Sequence, residues 1–145
     1  MATSIESSRF GRLEIPDEQA IEFPLGLIGL PGSAYAFVDP NPGGAFRWLH
    51  SLQDGSLALP VVDPRLVVSA FELSVGAEER QRVGLDDLSA AAVYVTVRAT
   101  ADPSEATLNL RAPIVVCRGR GHQVINTAPG ASLRAPLAAP VLASA

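Results

Sequence analysis

An all-β domain, a small β-barrel or sandwich with one short helix, is predicted by three observations. Short runs rich in β-branched and aromatic residues recur along the chain. Clusters of Gly, Pro, Asn and Asp separate them at close intervals. Only residues 76–83, Gly-Ala-Glu-Glu-Arg-Gln-Arg-Val, have the composition of a helix, with Gly84 placed as its stop.

Taken in order, the residues before Phe10 read as a frayed terminus. Residues 9–15 alternate, with Leu13 and Ile15 on one side, and predict a half-buried strand. Pro16-Asp17 turns the chain into Ile21-Glu22-Phe23. Residues 24–31 are apolar but punctuated by Gly and Pro, so they predict a loop pressed onto the core. Tyr35-Ala36-Phe37-Val38 is a short strand closed by the turn cluster Asp39-Pro40-Asn41-Pro42-Gly43-Gly44. Residues 46–51 and 57–62 flank Asp54-Gly55, a hairpin signal because Gly tolerates positive φ. The run Leu57-Ala58-Leu59-Pro60-Val61-Val62 reads as a buried strand, since Pro60 forbids a helix there.

Phe71-Glu72-Leu73-Ser74-Val75 alternates as a further strand, and Val93-Tyr94-Val95-Thr96-Val97 is the strongest β-forming run. Residues 101–105 form a turn. Residues 107–110 and 114–117 are strands interrupted at Ala112-Pro113, where the missing amide proton requires an edge or a bulge. Arg118-Gly119-Arg120-Gly121 connects to His122-Gln123-Val124-Ile125-Asn126 as a hairpin, being too short to offer the broad basic surface that RNA needs. One domain is expected over residues 1–137, with a disordered, small-residue tail at 138–145.

Composition narrows the function classes. A chain of 145 residues, 48% hydrophobic and 18% charged, can bury a core of its own. No apolar run approaches the ~20 residues of a membrane span, and the first residues lack the basic start and apolar centre of a signal peptide. The single cysteine, Cys117, excludes an internal disulfide framework and fits a reducing, cytoplasmic setting. Next to an apolar strand, it reads as a small buried hydrophobe. All 11 basic residues are Arg, yet the net charge is −4, which disfavours direct nucleic-acid binding. Acidic residues gather at Glu14, Asp17, Glu18 and Glu22, and again at Glu72, Glu78, Glu79, Asp86 and Asp87. Such groups suit either a solvated face or a surface that repels RNA.

Local signatures of catalysis are missing. His50, His122, Asp63, Cys117 and several serines could supply a nucleophile and a base, but no Gly-x-Ser-x-Gly occurs. Two isolated histidines give no metal-ligand spacing, and Gly26-Leu27-Ile28-Gly29 lacks the Lys-Ser/Thr of a phosphate loop. No cofactor and no metal are expected. Asp63, before Pro64, reads as a turn cap or as a partner for an Arg across an interface. Trp48 alternates with Phe46 and reads as core or as a rim anchor. The rival to a binding protein is a β-sandwich enzyme or ligand-binding module with a cleft around Asp63 and His50; a subunit assembling through exposed strand edges is a further alternative.

Several segments together are more specific than any one. They are Ile21-Glu22-Phe23-Pro24-Leu25-Gly26-Leu27-Ile28-Gly29-Leu30, then Phe46-Arg47-Trp48-Leu49-His50 with Leu57-Ala58-Leu59-Pro60-Val61-Val62-Asp63-Pro64, then Leu108-Asn109-Leu110-Arg111-Ala112-Pro113-Ile114-Val115-Val116, and Gln123-Val124-Ile125. In this order they resemble the FliW family of bacterial flagellar assembly factors, from about residue 10 to about 137. The resemblance implies a barrel-like β fold and a non-enzymatic, cytoplasmic, chaperone-like binding protein. Its implied partners are the C-terminal part of flagellin and the translational regulator CsrA, whose repression of flagellin translation it would relieve by excluding RNA. The 118–121 connection is shorter than the family's, and Cys117 stands where Asn is commoner. Turn and strand-edge acceptors suited to a basic partner are Gln53, Asp54, Asp63, Glu72 and Asp87. The free protein is expected to be a monomer.

Overall fold

Alternation leaves each strand with one apolar face, and those faces meet inside a ring of seven strands. The computed structural model describes residues 2–28, 30, 32–39, 46–66, 71–83, 91–98, 106–117, 119–129, 131 and 135–136. Its strands are β1 (Ala2–Ser7), β2 (Gly11–Pro16), β3 (Ile21–Glu22), β4 (Ala34–Val38), β5 (Phe46–Ser51) and β6 (Ala58–Val62). After helix α1 (Ala77–Val83) follow β7 (Ala92–Arg98), β8 (Thr107–Leu108), β9 (Ile114–Cys117), β10 (Arg120–Gln123) and β11 (Ala135–Pro136). The ring runs β7-β6-β5-β4-β3-β10-β9 and closes where β9 pairs back onto β7. Neighbours are antiparallel except β3 and β10, which meet in parallel at Glu22 and Arg120. The all-β expectation therefore resolves to a closed barrel. Among the described residues, no helix is long and apolar enough to cross a membrane.

Inside the ring lie Ile21, Phe23, Leu27, Tyr35, Leu49, Val61 and Ile114, with Phe37, Leu59 and Tyr94 packed against them. Full burial of such a side chain contributes about 1.5–3 kcal/mol. The Phe23 and Tyr35 rings meet edge to face, with centroids 5.4 Å apart. Phe23 fits because β10 offers Gly121 opposite it: a Cβ at that position would collide with the ring. Arg47 lies 4.0 Å from the centre of the Phe37 ring, where its guanidinium grips Asp39 in a bidentate pair at 2.8 and 2.9 Å and donates to Tyr94 Oη at 2.9 Å. These bonds raise its already high pKa further, the Asp39 contact most. Pro60 interrupts nothing, since the β6–β7 ladder runs through Val61 and Val62 only.

One strand carries the closure. β7 pairs with β9 through Ala92, Val93 and Tyr94, then with β8 through Val97 and Arg98. Between these ladders the opposing chain, residues 109–113, bulges outward. Asn109 Oδ1 holds the bulge by accepting from the amides of Arg111 and Ala112 at 3.1 and 3.2 Å. The bulge expected at Ala112-Pro113 is therefore present.

Two layers wrap the outside. The residues expected to fray instead form β1, which pairs with all of β2 from Ala2↔Pro16 to Ser7↔Gly11. This hairpin is pinned because Ile5 and Ile15 bury against Ala36 of β4. Ser7 Oγ accepts from the amides of Arg9 and Phe10 and donates to His50 Nε2 at 2.8 Å, while His50 Nδ1 donates to the Ser51 carbonyl at 2.7 Å. The second layer is residues 71–76 leading into α1. The alternation there persists as extended backbone, but it joins no ladder, contrary to the strand expected. Asn126 supplies its bonds instead. Its amide donates to the Glu72 and Leu110 carbonyls, and its Oδ1 accepts from the amides of Ser74 and Ala128. The 39–44 turn cluster beyond Asp39, Gly84, the 101–105 turn and the 138–145 tail lie outside the described residues.

Two outcomes test this packing. Gly121→Ala forces the Phe23 ring aside and lowers unfolding free energy by about 1–3 kcal/mol, read by urea denaturation. Burial, helped by Arg120, holds the His122 imidazole below its ordinary 6.5, and its Nδ1 has no hydrogen-bond partner among the described residues. The unfolded chain therefore takes up that proton first. The stability due to neutral His122 is whole above 6.5 and is lost as pH falls from there through the lowered folded value. His122→Gln should flatten the fall in urea midpoint between about pH 7.5 and about pH 5.5; a fall as steep as in the parent would discard this account.

Candidate partner-binding surface

The sequence-predicted acceptors are spread over the barrel rather than gathered. Gln53 and Asp54 share the β5–β6 loop. Gln53 Oε1 accepts from the amides of Ser33 and Ala34 at 2.8 and 3.3 Å, tying that loop to the start of β4. Asp54 Oδ1 accepts from Ser56 Oγ at 2.6 Å and from its amide at 2.9 Å, and these two bonds hold the carboxyl below the ordinary carboxylate range. Asp63 follows the far end of β6, some ~15 Å away at ~3.3 Å per residue. There it caps the turn by accepting from the Arg65 amide at 2.9 Å. Glu72 is exposed on the outer layer, and its backbone carbonyl accepts from Asn126 Nδ2 at 2.9 Å. Asp87 lies outside the described residues. Three of the four described acceptors thus have bonds within the chain that build loops, and the four do not converge.

Gly55 in the same loop has a different reason from the one expected. Its φ is not positive; among the described residues the positive-φ glycines are Gly11, Gly26, Gly32 and Gly119. A Cβ at Gly55 would instead strike the Glu6 carbonyl of β1, and the Gly55 carbonyl accepts from the Ser8 amide at 2.9 Å. Glycine is needed there for close approach of two backbones. The 117–120 connection does use the positive φ of a tight hairpin, at Gly119.

His50 and Asp63 do not share a cleft. His50 is 1% exposed, with both ring nitrogens engaged by Ser51 and Ser7. A shallow polar depression does lie beside it, lined by Ser8, Arg9, Gly55 and Ser56, on the side away from Asp63. The Ser7–His50 pair has the atoms of a nucleophile and a base, but both residues are buried and Ser7 Oγ is occupied by two amides. Among the described residues, no three of His, Cys, Asp and Glu stand close enough to hold a metal ion. Trp48 is half-buried, stacked edge-on against Phe10 and covered by the Arg9 guanidinium at 4.3 Å. Cys117 is half-buried too, less enclosed than expected.

What the structure does assemble is an apolar groove of about 640 Å3 at the β7 fork. Leu27, Leu59, Val97 and Ile114 line it, and Ile28 and Ile125 stand exposed at its lips. Arg98 and Arg111, both exposed, contribute its charge. Gln123 bridges two of its walls, donating to the Ala112 carbonyl at 3.0 Å and accepting from the Ile28 amide at 2.7 Å. No local motif announces this site, because residues 28, 98, 111 and 125 are remote in sequence. A separate acidic surface runs along the β2–β3 connection, where Glu14, Asp17, Glu18 and Glu22 are all exposed.

The loop-building role of Gln53 has a direct consequence. Gln53→Ala removes the acceptor of two amides and lowers unfolding free energy by about 1 kcal/mol in urea titrations. An unchanged midpoint would show that the amide does not organise this loop.

Comparison with known proteins places the fold and the chain. The model of the family described as FliW protein matches residues 4–137. The flagellar assembly factor FliW of Thermotoga neapolitana is 34% identical over 125 residues, covering 83% of this chain and 84% of its own length. That of Alkaliphilus metalliredigens is 32% identical over 114 residues, covering 77% and 70%. A crystal structure of the flagellar assembly factor FliW superposes with a TM-score of 0.81 at 21% identity, over 92% of this chain and 95% of that one. With the barrel shared and nearly the whole chain matched, this protein belongs to the FliW family of flagellar assembly factors.

Proposed function

We propose that this chain is a non-enzymatic, cytoplasmic binding factor that engages flagellin and the translational regulator CsrA, and relieves CsrA repression of flagellin translation by keeping RNA away. Membership of a family of flagellar assembly factors, matched over residues 4–137, carries this reading. A barrel interior filled by side chains agrees with it, since it leaves surfaces rather than an enclosed reaction chamber to act. So does the separation of His50 from Asp63.

The exposed acidic run from Glu14 to Glu22 supports the RNA-excluding part. Brought near a CsrA-bound transcript, these carboxylates repel its phosphates. The bound protein and the RNA then lower each other's affinity for CsrA, and a coupling of about 1–3 kcal/mol is enough for regulation. Flagellin and CsrA compete in the same way for this chain, so free flagellin leaves CsrA able to repress again.

Titrating a labelled CsrA–RNA complex with the full chain tests this. RNA affinity for CsrA should fall roughly tenfold or more at about 0.1 M salt. The ratio of affinities with and without the chain should shrink as salt rises, because the Debye length contracts from about 10 Å to about 3 Å at 1 M. RNA that stays equally bound at every salt concentration would overturn the reading.

A further inference from the structure

The groove at the β7 fork differs in charge from the rest of this chain. The protein has 15 acidic and 11 basic residues, yet the described lining of the groove holds two arginines and no carboxylate. Arg98 and Arg111 are exposed and have no ion-pair partner among the described residues, unlike Arg47, which is held by Asp39. The floor is aliphatic, and its lips, Ile28 and Ile125, are 60% and 43% exposed. Gln123 commits one donor and one acceptor of its side-chain amide to the two walls, and so fixes their spacing.

From this geometry we propose that the groove is a docking site for an amphipathic helix of a protein partner, one whose apolar stripe carries a carboxylate beside it. The aliphatic floor takes the stripe, and Arg98 and Arg111 take the carboxylate. The volume lies within the ~300–1,000 Å3 in which proteins commonly hold ligands. A strand is the poorer fit, because the β7 edge left between β9 and β8 spans only Val95 and Thr96, and the Thr96 carbonyl already accepts from the Asn109 amide at 3.1 Å. Nucleic acid also fits poorly: no aromatic ring among the described lining residues offers a stacking platform. Charge complementarity therefore selects an acidic, apolar helix. A basic partner belongs on the acidic β2–β3 surface instead.

This inference rests on the reading of the chain as a flagellin-binding factor, and the experiment separates the two. Affinity for purified flagellin is measured for the full chain, for the double variant R98E/R111E and for I28D. All three substitutions are at exposed positions, and urea midpoints check that the variants fold. Amide exchange with and without flagellin maps the contact. The expected result is roughly tenfold or greater weakening in both variants, with protection over residues 27–28, 96–98, 109–112 and 123–125. Flagellin that binds the parent and both variants equally, or protects other segments, overturns the groove assignment and leaves the partner reading standing. A parent chain that does not bind flagellin removes that reading, and the groove assignment with it. Single-stranded RNA binding to the parent and lost in R98E/R111E would also overturn the proposal, assigning the groove to nucleic acid.

Discussion

One strand, β7, serves two strands on one side, β9 to close the barrel and β8 beyond it, and much of the molecule follows from that constraint. A strand has one hydrogen-bonding edge per side, so β9 and β8 must share the length of β7. The chain between them has to leave the ladder and return. Pro113, which cannot donate, and Asn109, whose side chain accepts two amides of the excursion, make that departure tolerable. The gap left where the chain departs is the groove. Barrel closure and a concave apolar surface are thus two results of one pairing conflict.

Around the barrel, polar side chains rather than ladders attach the outer layers. Asn126 uses both donors and its acceptor oxygen to hold residues 72–74 against the ring. His50 and Ser7 do the same for the β1–β2 hairpin. Such buried networks are costly when half-made and specify position well when complete. They also explain why residues that look chemically capable, a serine beside a histidine, serve attachment here.

The surface divides by charge. Acidic residues line the β2–β3 connection, while the groove presents aliphatic side chains and two arginines. Under the proposed function, with two unlike partners, this division gives specificity, since each face penalises the partner suited to the other. The β7 fork is the place where a bound helix could bear on both β8 and β9.

Much of the fold was legible along the chain. Alternation marked β2, an apolar run bounded by turn residues marked β6, a dense β-forming run marked β7, turn clusters bounded β4 and β5, Pro60 excluded a helix, Ala112-Pro113 marked the bulge, and residues 76–83 marked α1. These are local signals, set by where adjacent side chains point and which backbone angles Pro and Gly permit. Other features depended on contacts between distant residues. Residues 2–7 become a strand only because β2 and Ala36 bury Ile5; residues 71–75 lie outside any ladder, held by Asn126 through the Glu72 carbonyl and the Ser74 amide; Gly55 is required by β1, not by its own turn. Asp54 and Asp63 cap their own turns, whose amides are the nearest donors, whereas Gln53 reaches the distant amides of Ser33 and Ala34. Sequence alone determined the all-β class, the strands with strong local signals and the single short helix. Only the tertiary structure decided where a partner could sit, because Ile28, Arg98, Arg111 and Ile125 become neighbours through the pairing of strands far apart in the chain.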